Sequence, residues 1–286
     1  MLKSIRKIIT AEKRLLGSVE TDQVLPTEVI GAVDPFLLLH HIKVRVPANT
    51  DEKSNGIGPH PHRGFSAVTF IYRGSIHHRD SLGNSSLVSD GGTQWIHTGE
   101  GVIHSERPGR EFAKLGGIQE IIQFWVNSPA KFKKDKPYYF PLSEILTPRI
   151  EHNQISISVV AGEYMKVSGP IKTLTPQTIL RITILKGATF PLQIPSNYNC
   201  LIYLLDGDLK VNNQKVLPKQ MVVFERNGVI TNVVAVKSTR FIVLSGIPIN
   251  EPIVSYGPYV MNSEDEIERA ISDYRRGKMG SLDETF

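Results

Sequence analysis

Apolar and polar residues alternate along most of this chain in short runs, and the runs are closed by glycine, proline and asparagine. Side chains on an extended strand point to opposite faces in turn, so this pattern predicts β-strands with one covered face. From Gln119 to Asn127 it puts Ile121, Gln123 and Trp125 on one face and Ile122, Phe124 and Val126 on the other. Phe65 to Tyr72 is rich in aromatic and β-branched residues and predicts a strand that turns at Gly74. Asp80 to Ser86 reads as a hairpin loop, and Asp90-Gly91-Gly92 as the turn before Thr93. Residues 1–50 alternate around Ile5, Ile8 and Leu15-Leu16, then reach the apolar stretch Val33 to Ile42, which predicts a turn and a buried strand.

One segment has helical period instead. Ser263 and Glu266 are spaced as a capping box, and acidic residues crowd the positive end of the helix they would open. Ile267, Ile271 and Tyr274 then fall on one stripe, which is expected to dock on the parent fold, with Arg275, Arg276 and Lys278 in the closing turn and Gly277 or Gly280 as the stop.

The strand pattern repeats internally. Phe70-Ile71-Tyr72-Arg73-Gly74 resembles Ile202 to Gly207, and Gly101 to Glu106 resembles Gly228 to Val233. Two successive β-barrels are therefore expected, joined by a Lys-, Pro- and Tyr-rich linker from Pro129 to Glu144. The expected division is residues 1–137, residues 138–262, and a helix with its tail over 263–286. A length of 286 residues, with 40% hydrophobic and 21% charged positions, 23 glycines and 18 prolines, agrees with two folded β-rich domains and argues against disorder or coiled coil.

Charge and cysteine content narrow the classes. The N-terminus lacks the apolar core of a signal peptide and no run is long enough to span a bilayer, so a cytoplasmic protein with no membrane association is expected. Cys200 is the single cysteine, which rules out an intrachain disulfide and suits a buried small residue. A net charge of +5 permits weak attraction to acidic partners, but no nucleic-acid-reading module is present. The basic run Lys131 to Lys136 reads as a solvated loop.

The histidines carry the chemistry. All nine lie in the first 152 residues, and they include two pairs at strand spacing, His60-Pro61-His62 and His104-Ser105-Glu106. Residues two apart project to the same side of a strand, so two neighbouring strands would enclose one cation with three imidazoles and a carboxylate. A nitrogen-rich set with one oxygen and no thiolate suits one divalent first-row transition metal such as iron, nickel, copper, manganese or zinc, and the donor set does not choose among them; iron(II) is the ion expected. Calcium and magnesium prefer oxygen alone. Pro61 cannot donate a ladder hydrogen bond, which predicts an edge or the start of a strand. His40 and His41 face opposite ways and read as hydrogen-bonded structural histidines, whereas His97 fits either a position behind the site or the surface. By the internal repeat, the counterparts of the four site residues are Gln193, Pro195, Thr231 and Val233, so the second barrel is expected to hold no metal.

Several stretches together resemble the pirin family of the cupin superfamily: Asp34 to Leu37, Pro59 to Phe65, Gln94-Trp95, Gly101 to Glu106, Gln123 to Asn127 and Gly257 to Asn262. The resemblance covers almost the whole chain. It implies an all-β fold of two tandem cupin (jelly-roll) β-barrels with a short C-terminal helix. It also implies metal ligation by His60, His62, His104 and Glu106 and places Gln123 in the metal pocket. Phe65, Trp95 and Trp125 are further candidates to line that pocket. Many cupins carry a glutamate four residues after the histidine pair; Ser66 stands there, so the carboxylate must come from Glu106. The activity implied is a metal-dependent dioxygenase of the quercetin 2,3-dioxygenase type. A monomer would take a small flavonol-like aromatic substrate and dioxygen, with Glu106 as ligand and base. The alternative is a non-enzymatic, metal- or redox-dependent regulator acting through a protein partner.

Overall fold

A computed structural model describes residues 1–17 and 19–284. Strands dominate it, and the two α-helices among the described residues are the six-residue Arg110–Leu115 and the twelve-residue Glu264–Arg275. The chain forms two compact units, and each holds most of one seven-stranded and one four-stranded sheet.

The first unit to consider comprises residues 15–21, 38–144 and 250–286. Its four-stranded sheet runs in the order Ile57–His62, Val102–Pro108, Ser75–Asp80, Ser85–Ser89. The larger sheet is ordered Tyr138–Leu142, Thr93–His97, Phe65–Arg73, Gly117–Asn127, Phe36–Val46, Val19–Leu25, Glu12–Leu16. Ile57–His62 is an edge strand, as Pro61 predicts. Gly74 closes the strand before it at φ +85°, a conformation that a side chain would strain. The Glu264–Arg275 helix is capped by Ser263, which accepts from the Glu266 N–H, while the Glu266 carboxylate accepts from the Asn262 N–H. Its buried face is Ile267 and Ala270, packed with Tyr259, Met261 and Met279.

The second unit comprises residues 1–14, 22–37 and 145–249. Its seven strands run in the order Ile5–Thr10, Gln220–Phe224, Asn199–Asp206, Thr239–Gly246, Gln177–Ile184, Ile155–Ala161, Arg149–His152. Its four run Thr189–Gln193, Ile230–Ala235, Leu209–Val211, Gln214–Val216. The middle of each sheet repeats the strand order of the other unit, and Gly207 turns at φ +85° as Gly74 does. The internal repeat is thus two barrels of one topology.

Four expectations need correction. The contiguous division at 137 and 262 differs from the observed units, because Ile5–Thr10 pairs with Gln220–Phe224 and residues 250–286 group with the histidine-bearing barrel. The stretch Pro129 to Glu144 is not a plain linker, because Tyr138–Leu142 pairs with Thr93–His97 as a sheet strand. Lys133 is not solvated: it is 1% exposed, and its ammonium donates to the carbonyls of Gly64 and Val260 and to Asn127. Burial pulls its pKa down to about 8. Tyr274, in the last helical turn, is exposed, and Ala270 takes its place in the buried face. Of the tail expected over 263–286, Thr285 and Phe286 lie outside the described residues.

Candidate metal centre

The two histidine strands are hydrogen-bonded neighbours, with His104 directly opposite His60 and Val102 opposite His62. The register shifts between His104 and Glu106, which faces Ile57, so the first strand carries a bulge at Gly58-Pro59. This pairing brings the three imidazoles together: ring centroids lie 4.3 Å apart for His60 and His104, 4.7 Å for His60 and His62, and 5.0 Å for His62 and His104. One nitrogen from each falls within 4.8 Å of the others, the only such grouping found among the described residues.

The hydrogen bonds fix which nitrogens converge. His60 Nδ1 lies 2.8 Å from the Gly58 carbonyl and His62 Nδ1 3.3 Å from the Pro258 carbonyl. A carbonyl only accepts, so each Nδ1 carries the proton and each Nε2 presents a lone pair. The two Nε2 atoms stand 3.1 Å apart. Two lone pairs at that distance repel unless a cation lies between them, and the spacing suits nitrogens sharing an ion at about 2.0–2.1 Å. His104 strengthens the case: it is 1% exposed and neither ring nitrogen has a hydrogen-bond partner. Burying an imidazole without a partner costs about 1–3 kcal/mol, a cost that coordination would remove. Burial, and after it the nearby His60, push the pKa of both His62 and His104 well below the ordinary histidine value, which leaves them neutral and ready to ligate.

Glu106 is buried on the same strand face as His104 but outside the triad of nitrogens. Its carboxylate accepts from Gln123 Nε2 at 2.9 Å, from Thr69 Oγ1 at 3.3 Å, and from Gln94 Nε2. These donors come from three strands of the opposing sheet, Gly117–Asn127, Phe65–Arg73 and Thr93–His97. Gln94 Oε1 in turn accepts from the Tyr139 hydroxyl at 3.3 Å. Tyr139 stacks on His78 at 3.8 Å with rings 1° from parallel, and His78 lies 5.4 Å from His104 and 2.9 Å from Asp80.

The aromatic candidates divide. Phe65 stacks on Trp125 at 4.2 Å, and both stand edge-on to His62, at 5.1 and 5.3 Å. Trp95 does not join them: its neighbour Gln94 reaches Glu106, so alternation turns Trp95 to the other face of its strand. His97 shares that outer face and meets Ser66 and Tyr138. His41 sits 3.4 Å from Glu120, in keeping with a structural histidine. Thr69, His78 and Tyr139 were not anticipated as neighbours of the site; the parity of Thr69 with Phe65 was a usable sign, whereas Tyr139 depends on the unforeseen strand. A cavity of about 240 Å³ opens beside Glu106 and Gln123, walled by Ile42, Val44, Ile76 and Ile121 and by the segment Ser54–Ile57.

The other barrel has no such centre among its described residues. Its register places Leu192 opposite Thr231, as His60 stands opposite His104. The counterparts of His60 and His62 are therefore Leu192 and Ile194, one residue away from the expected Gln193 and Pro195. The connection to the next strand spans residues 194–198 here against 63–64 in the first barrel, which is why a count from the turn glycine misplaces them.

Comparison with known proteins agrees with the geometry. The family model described as Pirin matches residues 18–126, and the one described as Pirin C-terminal cupin domain matches residues 179–280. Pirin-like protein 2 of Arabidopsis thaliana is 36% identical over 257 residues, covering 87% of this chain and 76% of that protein. The crystal structure of a quercetin 2,3-dioxygenase from Acinetobacter baumannii superimposes with a TM-score of 0.93 at 33% identity, covering 99% of this chain and 100% of that one. A bacterial pirin from Escherichia coli, solved in complex with nickel(II), has a TM-score of 0.67 at 16% identity over 85% of this chain and 99% of its own, a likeness of fold.

Proposed function

This chain belongs to the pirin family, and from that premise we propose that its histidine-bearing barrel is the metal centre of a dioxygenase acting on flavonol-like aromatic substrates. The observation that carries the reading is His104, buried with both ring nitrogens unpartnered beside the facing Nε2 atoms of His60 and His62. His60, His62 and His104 would hold one divalent first-row ion, with Glu106 completing the set. Such an ion supplies a Lewis-acidic or redox-active centre with open positions.

The protein's own residues do the rest. Gln123, Thr69 and Gln94 fix the Glu106 carboxylate in the wall of the cavity, where it can take the proton of a substrate hydroxyl as general base. The aliphatic wall of Ile42, Val44, Ile76 and Ile121 suits a flat apolar ring system and keeps water from the reacting atoms. Phe65 and Trp125 brace His62 from behind. The comparison with the Acinetobacter baumannii quercetin 2,3-dioxygenase supports flavonols as the substrate class.

The test joins elemental analysis of anaerobically purified protein to oxygen uptake over a panel of flavonols. One metal per chain, lost in His60→Ala/His104→Ala, and flavonol-dependent uptake are expected. Glu106→Gln keeps the size but removes the base, and turnover should fall by about 10²-fold or more. Verified metal with no uptake across the panel would overturn the catalytic reading, and unchanged turnover in Glu106→Gln would remove that residue as the base.

A further inference from the structure

The end of the chain returns to the outer side of the second histidine strand. His104 and Glu106 point inward there, so Ser105 and Arg107 point out. Glu284 meets Arg107 in a two-point fork, with Nε to Oε1 at 3.0 Å and Nη2 to Oε2 at 2.9 Å. The pair is largely withdrawn from solvent, at 12% side-chain exposure for Arg107 and 8% for Glu284. Just before it, the Ser81 hydroxyl donates to the Met279 carbonyl at 2.7 Å, which ties the tail to the same barrel.

Arg107 is held on its other side by the segment that leads into His60. Its Nη1 donates to the carbonyls of Lys53 at 2.8 Å and Asn55 at 3.0 Å. A Cβ on Gly58 would come within 2.8 Å of Nη2, so that residue is bare where the guanidinium lies against it. Gly58 stands in the bulge of the first histidine strand, where ladder pairing does not fix the backbone, and its carbonyl is the acceptor that orients His60. The segment Ser54–Ile57 also walls the cavity beside Glu106. Five donors in a rigid fork can grip a carboxylate and two carbonyls at once, which an ammonium cannot do in one geometry.

We propose that Glu284 and Arg107 form a C-terminal latch that positions His60: the tail carboxylate locks the guanidinium, the guanidinium clamps the Lys53–Gly58 segment, and the Gly58 carbonyl holds the imidazole in the orientation that ligates. Both are positioning residues, and neither touches the centre. The inference rests on the reading of His60 as a metal ligand, but its effect on the His60 ring is measurable without metal.

The experiment uses the full chain with Glu284→Ala, Glu284→Gln and Arg107→Lys. In metal-free wild-type protein, ¹⁵N NMR of the imidazoles should show His60 as one Nδ1-protonated tautomer. Each variant should mix the tautomers, while the tryptophan-fluorescence unfolding midpoint stays within a few degrees. Cobalt(II), titrated against a chelator, should bind about 10- to 100-fold more weakly to the variants, with displaced visible absorption bands. Arg107→Lys keeps the charge and loses the fork, so it should fall in the same direction; Glu284→Gln keeps the shape and serves if Glu284→Ala loosens the fold. An unchanged His60 signature and unchanged cobalt bands in all three variants would overturn the latch. Absent cobalt binding in wild type would instead overturn the metal reading, leaving the NMR arm to decide the latch.

Discussion

The two barrels share strand order and turn geometry yet fill their interiors in opposite ways. One surrounds three histidines with Thr69, Gln94, Glu106 and Gln123, all buried and hydrogen-bonded across its two sheets. The other fills the equivalent positions with Leu192, Ile202, Val222, Val233 and Val243, each fully buried in one apolar cluster. Its one polar residue at a site-equivalent position is Thr231, whose hydroxyl is buried and unpartnered. The backbone accepts either filling, so the chemistry belongs to the side chains grafted on the fold. A polar interior is the costlier choice, because each buried polar group must find a partner or lose about 1–3 kcal/mol.

Exchanging the fillings breaks the comparison most severely. Leu192→His, Ile194→His and Thr231→His together place three imidazoles in an apolar core with no donors around them, and should destabilise that barrel on the order of 5 kcal/mol. Cys200, buried there with its thiol pushed up to about 12, reports this as faster labelling by a thiol reagent. The reverse exchange, His60→Leu, His62→Ile and His104→Thr, should leave its barrel folded and metal-free. Both tryptophans of the chain, Trp95 and Trp125, lie in that barrel and report it. Equal tolerance of the two exchanges would show that the interiors are interchangeable.

Acid sharpens the comparison by a smaller amount. His40 is 6% exposed, and burial lowers its pKa to about 4. In the unfolded chain it takes its proton near pH ~6.5, so the unfolded state gains protons first as pH falls. Stability is therefore full above ~6.5, declines between there and about 4, and levels off below; the loss from His40 is about 3 kcal/mol. Metal-free protein should lose tryptophan-reported stability across this window, and His40→Gln should reduce the slope. The second barrel, whose one histidine is the exposed His152, should show no matching change in Cys200 labelling. A parallel decline there would sink the assignment.

The smallest expected effect isolates the polar network itself. Gln123→Leu removes the 2.9 Å donor to Glu106 and leaves the fold intact, so metal affinity should weaken by about 10- to 100-fold, read by chelator competition. No change would mean that Thr69 and Gln94 suffice to fix the carboxylate.

Much of this was legible in the chain. Period-two alternation gave the strands, because a half-covered sheet cannot be written otherwise, and the recurring turn at Gly74 and Gly207 exposed the repeat. The H-x-H and H-x-E pairs identified one face of two strands, and the structure brings the three histidines of those pairs into one cluster. Counting residues failed at Gln193 and Pro195, because a longer connection moved the register and a shift of one turns a side chain to the opposite face. Trp95 was misjudged for the same reason of parity.

The sequence by itself determined where most of the strands would form and which side chains could bind a cation, since these follow from local pattern and residue chemistry. Only the tertiary structure decided which strands became neighbours. The partners of Glu106, the strand carrying Tyr139, the burial of Lys133 among the Gly64 and Val260 carbonyls, and the return of Glu284 to Arg107 all join residues distant in sequence. Such contacts depend on closing long loops around a shared core, and no local pattern encodes which distant segment closes them.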